Sequence, residues 1–166
     1  MTFSLYIMRH AKSDWSSNAS DFDRPINERG QKNAARIGRW LNEHGVLPEM
    51  VICSSAMRAK QTWELVQQQL KDFDSVDVAL TRELYLADEE TLLNKIELYQ
   101  HGVKSLFLIA HNPGLDYLVS YLSNNQFKRD KNGKLMTTAA LAIFEYENSE
   151  ISKPTQMELV RPKELT

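Results

Sequence analysis

The chain has 166 residues, 42% of them hydrophobic and 25% charged, with a formal net charge of -2 at neutral pH. That length and composition suit one ordinary globular domain, residues 1–166, with a core of its own. The near-balanced charge excludes a nucleic-acid or anionic-membrane surface as the main partner, and the single cysteine excludes an internal disulfide.

The short apolar run Leu5-Tyr6-Ile7-Met8 predicts a buried strand that ends at Arg9-His10-Ala11. Its brevity before charged Arg9 does not suit the apolar region of a signal peptide, and no later stretch has the length of a membrane span, so the cytosol is the expected location. Lys12 to Arg24 is polar and long for a structureless connection, which marks it as a functional loop. Asn27 predicts the cap of a helix with Ala34, Ile37, Gly38 and Leu41 on one face, stopped near Gly45 and Pro48.

Met50 to Cys53 predicts the second strand. Cys53 reads as a small buried hydrophobe, because the Cys-(five residues)-Arg phosphate loop of a cysteine nucleophile does not follow it. Ser54 or Ser55 is expected to cap a helix lined by Ala59, Trp63, Val66 and Leu70. Val76 to Leu80 predicts a third strand, followed after Asp88 by a helix carrying Leu92, Ile96 and Tyr99. Leu106 to Ala110 is the clearest strand. Asn112 as cap, Pro113 at the first helical position, and Leu115, Leu118, Val119 and Leu122 behind them mark the next helix. After a polar loop, Ala139 to Tyr146 and Met157 to Val160 predict two more strands. Alternating strands and helices imply an α/β fold, a three-layer α/β/α sandwich around a mainly parallel sheet.

In such a sheet the carboxyl ends of the strands bear the ligand. Arg9, His10, Arg58 and His111 all fall at or just beyond those ends. Arginine forks onto phosphoryl oxygens, and histidine is among the few side chains that carry a phosphoryl group covalently. Arg58 sits in the first turn of its helix, where a cation opposes the helix dipole unless an anion lies in front of it. Each residue alone has an ordinary explanation, as a surface cation or a structural histidine. Four at three strand ends point to a phosphoryl-handling enzyme.

The segments Met8-Arg9-His10-Ala11-Lys12-Ser13, Asp23-Arg24-Pro25-Ile26-Asn27-Glu28-Arg29-Gly30, Cys53 to Thr62 and Ala110-His111-Asn112-Pro113-Gly114 occur in that order over most of the chain. This ordered set resembles the histidine phosphatase superfamily, in particular its small SixA-like branch of phosphohistidine phosphatases. The resemblance implies a phosphoglycerate mutase-like fold and a phosphatase that works through a phosphohistidine at His10. Arg9, Arg58 and His111 would form the pocket, with Asn112 as a further substrate contact and no metal or organic cofactor. His44 and His101, at predicted helix ends, show no metal-ligand spacing and read as surface residues.

Many superfamily members use a carboxylate to protonate the leaving group. Glu83, just after the third strand, is the first choice, and Asp21 and Asp23 in the long loop are the second. Asp88, Glu89 and Glu90 read as helix-start acids. Short connections imply an open site, suited to a phosphorylated side chain on another protein or to a promiscuous small ester, and the chain is expected to act as a monomer. Lys128, Arg129, Lys131 and Lys134 read as a solvated loop that can also steer an acidic substrate. The alternatives are a small-metabolite phosphatase or mutase using the same pocket, and a phosphate-binding module without turnover.

Overall fold

The computed structural model describes residues 2–165. Its centre is one six-stranded sheet formed by β1 (Phe3–Arg9), β2 (Met50–Ser54), β3 (Asp77–Thr81), β4 (Ser105–Ala110), β5 (Leu141–Tyr146) and β6 (Gln156–Val160), in the order β3-β2-β4-β1-β5-β6. The four strands β3, β2, β4 and β1 are mutually parallel; β5 pairs antiparallel to β1, and β6 antiparallel to β5. Five strands therefore run in one direction and β5 alone is reversed. One cross-strand row, Leu80–Cys53–Ile109–Met8–Leu141–Val160, links all six strands near the edge where β1, β2 and β4 end.

The period-2 alternation of the strands sorts their side chains into two cores. Tyr6, Met8, Val51, Cys53, Phe107 and Ile109 face helices α1 (Glu28–Glu43) and α2 (Met57–Gln67), against Ile37, Leu41, Trp63 and Val66. Leu5, Ile7, Ile52, Leu106, Leu108 and Phe144 face α3 (Glu89–Tyr99) and α4 (Gly114–Leu122), against Leu92, Ile96, Leu115 and Leu118. Both faces of the central strands are buried, which is why their sequences are continuously apolar.

Three helix starts follow from the sequence. The Asn27 side chain accepts from the Gly30 N–H at 2.8 Å, and the Asp88 side chain accepts from the Thr91 N–H at 2.9 Å. Asn112 Oδ1 accepts from the Asp116 N–H at 3.1 Å, one residue further back than expected, since Pro113 takes the cap position and Gly114 opens α4.

The fourth start differs from expectation. Ala56 sits at the N-cap of α2 with no side-chain bond, because β2 runs through Ser54 and the Ser54 hydroxyl is used elsewhere. The long loop after β1 is also less irregular than expected. Ser13 and Ile26 form an antiparallel bridge, the Asp14 N–H donates to Pro25 O at 2.8 Å, and the Met57 N–H donates to Phe22 O at 3.0 Å. These bonds lay the loop across the start of α2.

Candidate active site

β1 ends at Arg9, and His10 follows it with only 6% of its surface exposed. The His10 Nδ1–H donates to the Ala11 carbonyl at 2.8 Å; a carbonyl can only accept, so the proton belongs on Nδ1. The lone pair is then on Nε2, and the Arg58 Nε–H points at it from 3.4 Å. Burial first, then the neighbouring His111 ring and the guanidinium charges of Arg9 and Arg58, hold the His10 pKa well below its ordinary value. The imidazole is therefore neutral at physiological pH, with a nucleophilic nitrogen turned to a guanidinium.

Arg58, in the first turn of α2, is 3% exposed. Its Nη1 donates to the Asp21 carbonyl at 2.6 Å and its Nη2 to Asp21 Oδ2 at 3.2 Å. Thr62, one turn on, ties this turn to the backbone beside His10: its hydroxyl donates to Arg58 O at 2.7 Å and accepts the Ala11 N–H at 2.9 Å. His111, one residue beyond β4, is 1% exposed, and its ring centroid lies 5.0 Å from that of His10. The Ser54 hydroxyl meets His111 Nε2 at 2.8 Å and accepts the Ala56 N–H at 3.2 Å. With Ser54 donating to Nε2, the proton of neutral His111 sits on Nδ1, which is buried and has no partner among the described residues. Burial first and then Arg58 bring the His111 pKa down to about 3.

Arg9 completes the ring of donors, its Nη1 donating to Met136 O at 3.0 Å. The four residues expected at the strand ends thus lie together at one edge of the sheet.

Of the two further residues expected at the site, Glu83 turns away from the cluster, whereas Asn112 holds the Met136 carbonyl that Arg9 also bonds. Glu83 pairs with Lys95 at 3.0 Å and is 69% exposed, and no hydrogen bond or ion pair joins it to the cluster among the described residues. Asn112 commits Nδ2 to Met136 O at 3.0 Å and Oδ1 to the Asp116 N–H, so both ends of its amide hold backbone.

Asp21 is the carboxylate at the cluster. It accepts from Arg58, from Arg24 Nη1 at 2.6 Å and from the Tyr85 hydroxyl, and these donors hold its pKa far below the usual carboxylate range, Tyr85 foremost. Tyr85 packs edge-on to both His111, 5.5 Å between centroids, and Phe22, 4.9 Å. Ser54, Thr62 and Tyr85 were not legible as site residues, because serine, threonine and tyrosine beside apolar runs have too many ordinary uses. Among the described residues, no group of three or more His, Cys, Asp or Glu side chains is placed to hold a metal ion.

Residues 5–95 match the family model of the histidine phosphatase superfamily, branch 1. The chain belongs to the histidine phosphatase superfamily. It is 30% identical over 147 residues to the phosphohistidine phosphatase SixA of Escherichia coli K12, covering 87% of this chain and 86% of that one. An uncharacterised protein of Mycobacterium leprae is 29% identical over 144 residues, covering 82% of this chain and 86% of that one. A solved structure of the protein histidine phosphatase SixA with tungstate superposes with a TM-score of 0.79 at 28% identity, over 99% of this chain and all of that one. This superfamily member is accordingly a phosphatase with the mixed α/β fold of the SixA structures. Among its described residues no helix is long and apolar enough to cross a membrane.

Proposed function

We propose that the chain is a protein phosphohistidine phosphatase that works through a phosphorylated His10. The observation that carries this reading is the state of that imidazole: Nδ1–H is pinned to the Ala11 carbonyl, Nε2 is free of a proton, and three cationic or donor groups surround it. Nε2 attacks phosphorus, the bond from phosphorus to the leaving nitrogen breaks as a bond to His10 forms, and water then releases phosphate. Arg9, Arg58 and His111 Nδ1–H stabilise the charge on the equatorial oxygens in both steps.

Leaving-group chemistry favours a phosphohistidine over an ester. The carboxylate beside the cluster, Asp21, is ionised at neutral pH, which suits it to orient Arg58 and not to protonate an alkoxide. A phosphohistidine departs as a neutral imidazole once its ring is protonated, so the demand for a strong acid in the protein is small.

His10→Ala is expected to abolish turnover and leave the far-UV and near-UV circular dichroism unchanged. In the wild type, brief exposure to a phosphohistidine peptide labelled in the phosphoryl group should leave an acid-labile label on His10. Substantial residual activity of the variant on an aryl phosphate overturns the reading. A panel in which phosphosugars or phosphoglycerates outpace phosphohistidine peptides in kcat/KM reassigns the substrate class.

A further inference from the structure

Beside His10, on the β5–β6 side of β1, lies a cavity of about 230 Å³ that the proposed reaction shares only through Arg9. Five cationic residues line it, Arg9, Lys12, Arg29, Lys134 and Lys163, against one carboxylate, Asp130, in a protein whose net charge is -2. That carboxylate is already satisfied: Asp130 is paired with Lys163 at 2.6 Å and accepts the N–H groups of Asn132 and Lys134, both at 2.9 Å. Lys12, Arg29 and Lys134 have no ion-pair partner among the described residues. Arg9 Nε and the Thr137 hydroxyl, also in its lining, are buried and unpartnered.

The sheet explains the convergence. β6 runs in the same direction as β1, so the turn that follows it, carrying Lys163, and the loop entering β5, carrying Lys134 and Thr137, return to the edge where Arg9 and His10 emerge. Arg9 is the shared wall between the phosphoryl site and this cavity. Gathering like charges is unfavourable unless an anion relieves it.

We infer that this cavity is a specificity subsite that takes an acidic side chain next to the phosphorylated residue of a protein substrate. The inference rests on the phosphohistidine phosphatase reading and extends it to sequence preference. A protein occupant fits because Lys12, Arg29 and Lys134 are exposed at the rim, where a folded surface can reach them.

The test compares two phosphohistidine peptides that differ only in carrying Asp and Glu, or Asn and Gln, beside the phosphorylated residue. At low ionic strength the wild type should show a KM about tenfold lower for the acidic peptide with kcat equal, and added salt should close the gap. The double variant Arg29→Glu/Lys134→Glu should raise the KM of the acidic peptide to that of the neutral one, with kcat and aryl phosphate turnover kept. Equal KM values in the wild type overturn the subsite, as does a fall of the variant on all three substrates alike. A preference for a small bisphosphorylated ester with none for the acidic peptide overturns the occupant.

Binding of the unphosphorylated acidic peptide to the His10→Ala protein reads the cavity without turnover. Heat released by that protein and lost on adding the double substitution supports the subsite even where phosphohistidine hydrolysis fails; equal heats overturn it. The two readings therefore fall separately.

Discussion

The role proposed for His10 depends on which ring nitrogen holds the proton, and one backbone carbonyl makes that choice. Because burial and neighbouring cations depress the pKa of both His10 and His111, neither imidazole should take up a proton between pH 8 and pH 5.5 in the free enzyme. An NMR titration of the assigned rings checks this, and a midpoint near 6.5 for either ring contradicts it. On the proposed mechanism Arg58→Ala removes a preorganised donor from the equatorial oxygens and should cost about 2–4 kcal/mol in kcat/KM. Asp21→Asn should slow an activated aryl phosphate and an alkyl phosphate by the same factor, because an ionised carboxylate acts by holding Arg58. A loss confined to the alkyl ester would make Asp21 the proton donor instead.

Among the elements, the start of α4 sets the position of His111. Gly114 is packed so closely that an added Cβ would lie 2.0 Å from the Ala87 carbonyl, so the turn before α3 and the first turn of α4 touch backbone to backbone. Gly114→Ala must push these segments apart, at about 1–3 kcal/mol of stability. His111 and the Asn112 bonds that hold Met136 O move with them. Chemical denaturation should show the lost stability and aryl phosphate turnover should fall with it; a variant as stable and active as the wild type would show that the contact relaxes freely. Gly30 plays the same part for α1, with an added Cβ 2.3 Å from the Lys12 carbonyl, and so fixes the stem of the loop that delivers Asp21.

For the whole molecule, the two buried histidines link stability to acid. His111 falls from 6.5 to about 3 on folding, so the unfolded chain binds a proton below about pH 6.5 that the native state refuses. Stability is then fullest above pH 6.5 and declines as the pH drops, by about 2 kcal/mol at pH 5 from His111 alone. His10 adds in the same direction. Urea unfolding at pH 7 and pH 5 measures the decline, and His111→Gln should lessen it, leaving the part that His10 contributes. A wild type equally stable at both values would contradict the buried, neutral histidines.

The sequence by itself determined the strands, most helix boundaries and the gathering of Arg9, His10, Arg58 and His111 at one edge of the sheet. Apolar runs, Asn and Asp caps and the strand-end positions of those residues are local signals, and parallel strands bring such ends together whatever the loops do. Only the tertiary structure decided which carboxylate meets the cluster. Glu83 lies just past β3 yet turns to Lys95, whereas Asp21, distant from Arg58 in the chain, arrives because the loop is zipped at Ser13 and Ile26 and laid over α2. The partner of Ser54, the reversal of β5 and the cationic cavity beside Arg9 belong to the same class. Each depends on how side chains far apart in sequence point once the chain is packed, and no local pattern carries that direction.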